Sequence, residues 1–367
     1  MSLLAITMIA NAAPTPFARP VPPQNPIRVR LAHSATFSLT GVNITLNNRA
    51  YPGLHTFKVR DGRVEGVALD SISGESLRMN LKSVPSHLEI KGHNVVATLD
   101  LETYLRGVLP AEMPASWPLE ALKAQAVAAR TFALYRRAHR DEREFDVDSD
   151  VNDQMFLSDT MKQTDQAIDE TRGLVLKDKR GELVAAYFHS DCGGHTEDAH
   201  NVWGTGDSVG TAGCPYSSLS HWSLKLSLSQ LRAKLRQKIS AIRLGPRNDS
   251  GRVQQVYLAL ADGTGKTLTG SDFRSALGFG ELKSTAFEIA RDGDDYVFTG
   301  RGFGHGVGLC QWGARQMAKA GRDYREILAH FYPRAGLDGN PNLNDEERDG
   351  ANNKQAAEFH KSSLPRL

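Results

Sequence analysis

Apolar and polar residues alternate with a period of two through the first quarter of the chain. They then recur at spacings of three and four in one long block, and alternation returns afterwards. From Ile27 to about Leu101 the text is strand-like: Ile27, Val29 and Leu31 alternate with Arg28, Arg30 and Ala32, the period of a half-buried strand. Asp61-Gly62 separates the alternating runs 55–60 and 63–69 and predicts a hairpin turn. Residues 88–90 and 95–99 flank Gly92 and predict another. Pro118 to about His139 predicts a helix, because proline suits the first turn and no glycine or further proline interrupts it. Leu119, Leu122, Ala126, Ala129 and Ala133 form its buried stripe. Arg136, Arg137, Arg140 and Arg143 make a basic, solvated end that suits the helix dipole. Strands resume at 174–176 and 183–188 around a turn at 178–181, and a short helix is expected over 228–239. Residues 253–260 pair with 266–269 across Asp262-Gly263, and 286–290 pair with 296–299 across Asp292-Gly293. A glycine-rich loop, 302–308, leads into a helix from about Cys310 to Ala320. The expected fold class is α+β: mostly antiparallel strands, a long helix carrying the site and a few shorter helices.

Length and composition bound the picture. The chain has 367 residues, enough for two domains or one elaborated domain at about 150 residues each. Residues 1–12 contain a short apolar run ending in Ala10-x-Ala12, which suits signal peptidase although a basic start is missing. Six of the 16 prolines lie from Pro14 to Pro26, so 13–27 reads as a tether. An N-terminal β-rich part is expected over 28–99, a second region holding the candidate chemistry over 100–335 and a disordered tail over 336–367. No segment is long and apolar enough for a transmembrane helix. The 44 Lys and Arg against 42 Asp and Glu give a net charge of +2, which supplies no global attraction to nucleic acid. The protein is expected to be exported, periplasmic or envelope-associated.

Four segments carry candidate chemistry. In Tyr104-Leu-Arg-Gly-Val-Leu-Pro-Ala-Glu112, a glutamate follows an apolar run and precedes Met113, Trp117 and the long helix. Burial there would raise its pKa and let it act as a general acid, whereas a cap or an ion pair would leave it structural. Gln125 lies close to the apolar face of the long helix, where its amide needs partners: backbone groups, Glu112 or a substrate hydroxyl. The third segment, 189–197, holds His189, Ser190, Asp191, Cys192, Gly193, Gly194 and His195. His189, Cys192 and His195 at three-residue spacing would suit a catalytic zinc, but nothing nearby completes the pattern. In the fourth, alternate glycines surround His305, from Gly302 to Gly308, with neither a Walker nor a dinucleotide-binding spacing. Those glycines would either keep bulk away from His305 so that an extended polymer can lie against it, or shape a tight turn around a structural histidine.

In this order the four segments resemble the stage II sporulation protein D (SpoIID/LytB) family. The resemblance is carried by the Tyr104 to Pro114 run, by Gln125 with Arg130-Thr131, by Cys192-Gly-Gly-His-Thr-Glu197 with Asn201-Val-Trp203, and by Gly304-His305-Gly-Val-Gly308 with Gln311-Trp-Gly-Ala314. It implies a lytic transglycosylase that cuts peptidoglycan glycan strands, especially those lacking stem peptides, between N-acetylmuramic acid and N-acetylglucosamine. It also leaves open a non-catalytic glycan-binding or amidase-enhancing protein that works with other cell-wall enzymes. Glu112 matches the family's catalytic acid. Gln125, Ser190, Cys192, Gly193, Gly194 and His305 would line the substrate groove, with Asp191 a weak candidate for a second carboxylate.

The chain departs from the family in one place. Some members carry a His/Cys zinc cluster between the long helix and a Gln-x-aromatic triplet, here Gln154-Met155-Phe156. The preceding residues include Asp148, Asp150 and Asp153 but no Cys or His, so a solvated acidic turn is expected, or else oxygen ligands for Ca²⁺. No metal and no cofactor are expected. The chain has three cysteines. In an exported protein Cys192 and Cys214 could bridge, closing a loop of about 20 residues worth about 3 kcal/mol. Cys192 and Cys310 could instead meet near the active site.

Overall fold

The computed structural model describes residues 25–140, 144–149, 153–157, 160–204, 208–214 and 220–339. The expected leader, nearly all of the tether and most of the expected tail lie outside these residues.

Residues 26–100, joined by Val147–Asp148, form a largely antiparallel eight-stranded sheet. Its order is Val147–Asp148, Pro26–Ala32, Asn94–Asp100, His87–Lys91, Ser71–Met79, Phe37–Leu46 and Arg49–Val59, with Lys82–Ser83 beside Ser71–Met79. Pro26 and Ile27 pair with Asp100 and Leu99, so the sheet begins inside the stretch expected as tether. At Asp61-Gly62 both φ angles are positive and Arg60 and Arg63 exchange backbone hydrogen bonds, as in the predicted tight hairpin. The Gly92 hairpin also forms, pairing His87–Lys91 with Asn94–Asp100.

Eight helices are described: α1 (Leu101–Glu112), α2 (Leu119–Ala138), α3 (Lys162–Glu170), α4 (Ala199–Trp203), α5 (Leu228–Leu235), α6 (Gly270–Leu277), α7 (Gln311–Lys319) and α8 (Tyr324–Phe331). α1 was not foreseen as a helix. Asp100 caps it by accepting from the Thr103 N–H, and Pro110, near its end, leaves one carbonyl of the preceding turn without a helical donor. α2 is the predicted long helix and is buried through most of its first four turns. The expected helix over 228–239 stops at Leu235, because Arg236 takes a left-handed conformation and the strand Ile239–Leu244 follows. Residues 183–188 are mostly not strand; only Phe188–His189 is, and it pairs in parallel with Leu309–Cys310. Gly336–Asp338, placed in the expected tail, pairs with Val175–Lys177.

Three apolar cores result. One lies within the N-terminal sheet, one joins α1, α2, α7 and α8, and one fills the hairpin-rich region around Trp222, Phe273, Phe287 and Phe298. The helical core is cross-tied by charge. Arg130, fully buried on α2, donates to both carboxylate oxygens of Glu102 on α1, at 2.8 and 2.7 Å, and to the Leu174 and Ile168 carbonyls.

The described aspartates of the acidic turn are not solvated but paired with arginines. Asp146 and Asp148 are buried, and Asp146 pairs with Arg28 and Asp148 with Arg30, each at 2.5 Å. Asp153 pairs with Arg136 at 2.8 Å and Arg140 at 2.7 Å. Two arginines of the supposedly solvated helix end are therefore engaged. The carboxylates of Asp146, Asp148 and Asp153 are thus already engaged by guanidinium groups, while Asp150 lies outside the described residues.

Candidate functional site

Glu112 is the last residue of α1, so the carboxyl sits on the helix before the long one, not on it. The negative end of a helix dipole disfavours a carboxylate. Burial adds to this and raises the Glu112 pKa above the ordinary glutamate value. Two donors oppose the shift: the Met155 N–H on Oε1 at 2.7 Å and the Gln311 Nε2 on Oε2 at 3.2 Å. The result is a carboxyl held in a fixed orientation by donors from two distant parts of the chain.

Neither donor was assigned from sequence, although both lie in motifs. Gln154-Met155-Phe156 was read only as a landmark, yet each of its residues supports the site. Gln154 accepts from the Tyr104 hydroxyl at 2.8 Å and donates to the Ala129 carbonyl at 3.1 Å. Phe156 stacks on Tyr104 with ring centroids 5.7 Å apart. Gly107 lets this segment lie against α1: a Cβ there would stand 2.2 Å from the Leu157 carbonyl oxygen and 2.4 Å from the Phe156 ring.

Gln125 is fully buried, and neither amide atom has a hydrogen-bond partner among the described residues. It therefore bonds neither Glu112 nor the backbone. His305 is held by backbone: its Nδ1 accepts from the Val307 N–H at 3.0 Å, and the ring also bonds the Phe188 carbonyl. Burial pushes its pKa well below the usual histidine value, so the ring is neutral. It packs 5.1 Å from the Trp203 ring, and Trp203 and Phe303 are exposed aromatics beside this loop.

The glycines around His305 serve the interior and do not clear a groove. A Cβ at Gly308 would lie 2.0 Å from the Tyr187 carbonyl oxygen, and one at Gly306 would lie 2.6 Å from the guanidinium of Arg252. Those at Gly302 and Gly304 would meet the 189–193 segment. Asp191 is likewise structural. It is buried and accepts from the Gly193 N–H at 2.8 Å and from the Ser220 hydroxyl. Glu197 accepts from the Asp198 N–H, Asn201 and Ser250, tying the loop to the hairpin region. In the 189–194 segment Ser190 is half-buried, Gly193 buried and Gly194 exposed.

The expected Cys192–Cys214 disulfide is not formed: all three cysteines are buried free thiols. Cys192 and Cys310 instead meet beside His189, whose ring nitrogen and the two sulfurs lie within 4.8 Å of one another. His195 does not join them; its Nδ1 lies 2.6 Å from the Thr196 carbonyl oxygen.

The fold is α+β, and the buried Glu112 carboxyl lies where α1, the 154–156 segment and α7 meet. Residues 89–177 match the family model described as stage II sporulation protein, and residues 216–308 match a domain of unknown function (DUF8618). The chain is 38% identical over 251 residues to an uncharacterized protein of Brachyspira hyodysenteriae, covering 65% of this chain and 66% of that one. It is 33% identical over 292 residues to stage II sporulation protein D of Bacillus subtilis, covering 71% and 80%. It is 28% identical over 365 residues to the amidase enhancer of the same organism, covering 77% of this chain and 49% of that one. The chain belongs to the stage II sporulation protein D family. Among the described residues no helix is long and apolar enough to cross a membrane.

Proposed function

We propose that the protein is an exported, envelope-associated lytic transglycosylase that cuts peptidoglycan glycan strands, peptide-free ones above all, between N-acetylmuramic acid and N-acetylglucosamine. The observation that carries this reading is the raised pKa of an oriented Glu112, which favours the protonated form a general acid needs. Glu112 gives its proton to the glycosidic oxygen as the bond from C1 breaks. The muramic acid's own 6-hydroxyl then attacks C1 of the oxocarbenium-like centre. The Glu112 carboxylate takes the proton of that hydroxyl, leaving a 1,6-anhydro end and the acid restored. No water is consumed, so one carboxyl suffices, whereas glycoside hydrolases ordinarily use two. That Asp191 is bound up in its own loop agrees with a single-acid mechanism. The exposed rings of Trp203 and Phe303 suit the apolar faces of sugars.

A second reading is a non-catalytic glycan-binding protein that stimulates a separate amidase. The likeness to an amidase enhancer favours it, as does the fact that both Glu112 oxygens already accept hydrogen bonds. One digest separates the two. Peptide-free glycan strands are incubated with the protein and with Glu112→Gln, and the products are read by mass spectrometry. Anhydro-muramic ends that disappear in the variant are expected. Equal cleavage by the variant overturns the role of Glu112, binding without cleavage supports the second reading, and reducing ends indicate a hydrolase.

A further inference from the structure

The buried thiols form a cluster that the chemistry at Glu112 does not use. Cys192, Cys214 and Cys310 are 2%, 1% and 0% exposed, and His189 is 4% exposed. Donor atoms of His189, Cys192 and Cys310 lie within 4.8 Å of one another, the spread that ligands around one small ion require. The Cys214 thiol lies near enough to the Cys192 and Cys310 thiols to be electrostatically coupled to both, and its backbone N–H is anchored to the Gly194 carbonyl at 2.8 Å. Gly313 makes room for it, since a Cβ there would stand 2.5 Å from the Cys214 sulfur.

The imidazole is set for coordination. His189 Nδ1 lies 3.1 Å from the Val307 carbonyl oxygen, an acceptor only, so the proton resides on Nδ1 and the lone pair on Nε2. That Nε2 is buried and has no hydrogen-bond partner among the described residues. A ligating histidine commonly carries such a carbonyl partner on its other nitrogen. Charge balance points the same way. Arg252, 1% exposed, donates to the Cys192 carbonyl at 2.9 Å; the Glu197 carboxylate attracts its guanidinium first, and thiolates on Cys192 and Cys310 would add to that attraction. An ion held by three thiolates and one imidazole has one surplus negative charge for that guanidinium to face.

We propose that His189, Cys192 and Cys310, completed by Cys214, hold one zinc ion. Thiolate-rich ligation selects soft or borderline ions, and a closed, buried set of four donors is a structural site. Binding fastens three segments: the loop after Phe188–His189, the turn entering α7 and the 214 segment. Cys310 is the N-cap of α7, and the next residue, Gln311, holds Glu112, so the ion fixes the base of the site without touching substrate.

The full-length protein is purified without chelator, and its metals are measured by plasma mass spectrometry. About one zinc per chain is expected. In Cys192→Ser and Cys310→Ser the zinc falls to background, and in Cys214→Ser it is lost to a chelator that the parent protein resists. Because a variant may misfold, cobalt is also loaded into the unmutated protein. A thiolate-to-cobalt charge-transfer band with intense tetrahedral d–d bands is expected. Free thiols with no zinc and no such spectrum overturn the proposal. So does a Cys192–Cys214 or Cys192–Cys310 disulfide found in the purified protein.

Discussion

Gln311 and Glu112 lie 199 residues apart in the chain, and the Gln311 amide donates to the Glu112 carboxyl at 3.2 Å. This donor favours the ionised carboxyl, so its removal should raise the pKa further. In Gln311→Leu the upper limb of the pH–rate profile should move to higher pH. The shift should be at most about one unit, given about 0.5–1.5 kcal/mol for such a bond. An unchanged profile would show that Gln311 does not tune the acid.

The same carboxyl links stability to pH. Burial raises the folded-state pKa of Glu112 above its unfolded value, so between the two the folded state holds the extra proton. Stability should therefore fall as pH rises from the unfolded value through the raised one, and then level off. Glu112→Gln lacks this contribution. The difference in urea midpoint between protein and variant should thus move in the variant's favour as pH rises, by about 1.4 kcal/mol per unit of pKa shift.

Arg130 and Glu102 should be costly to separate. Arg130→Met leaves a buried carboxylate without its guanidinium and should destabilise the protein by about 3–5 kcal/mol. Glu102→Leu should cost a similar amount, and the double variant should recover much of the loss. Chemical denaturation of the four proteins measures the coupling. Simple additivity would mean that the pair acts only through separate contacts.

Gly107→Ala should disturb Glu112 from a distance. The new methyl meets the Leu157 carbonyl and the Phe156 ring, which pushes the Met155 N–H away from Oε1. A loss of about 1–3 kcal/mol is expected from overpacking, together with reduced cleavage. Gly280→Ala, where a Cβ meets nothing within 4 Å, should change stability by no more than about 0.5 kcal/mol.

Much of this was legible from pattern. The hairpins at Asp61-Gly62, Gly92, Asp262-Gly263 and Asp292-Gly293 were readable because turn residues and alternation agree locally. α2 was readable from its uninterrupted apolar stripe. α1 was not, since its apolar run carries Pro110 near the end and its cap, Asp100, closes a strand. Glu112 was found through its motif, but its donors were not. A backbone N–H at Met155 leaves no trace in side-chain chemistry, and Gln311 becomes a partner only through tertiary contact. The acidic turn misled for the same reason. Asp148 and Asp153 look solvated until Arg30, Arg136 and Arg140 arrive from elsewhere in the chain. The Gly-rich loop around His305 looked like a ligand cradle, whereas its tightest contacts are with Tyr187 and Arg252.

The parallel pairing of Phe188–His189 with Leu309–Cys310 has a consequence for the order of assembly. Contacts of such wide sequence separation carry a loop-closure cost and tend to form slowly. A nascent chain ending before Leu309 can already build the N-terminal sheet and the helix that bears Glu112, but it lacks Gln311. The carboxyl is then present without its C-terminal donor. The segment from Leu309 onward therefore completes the surroundings of the carboxyl, so that a chain truncated before Gln311 has the acid residue but not its second donor.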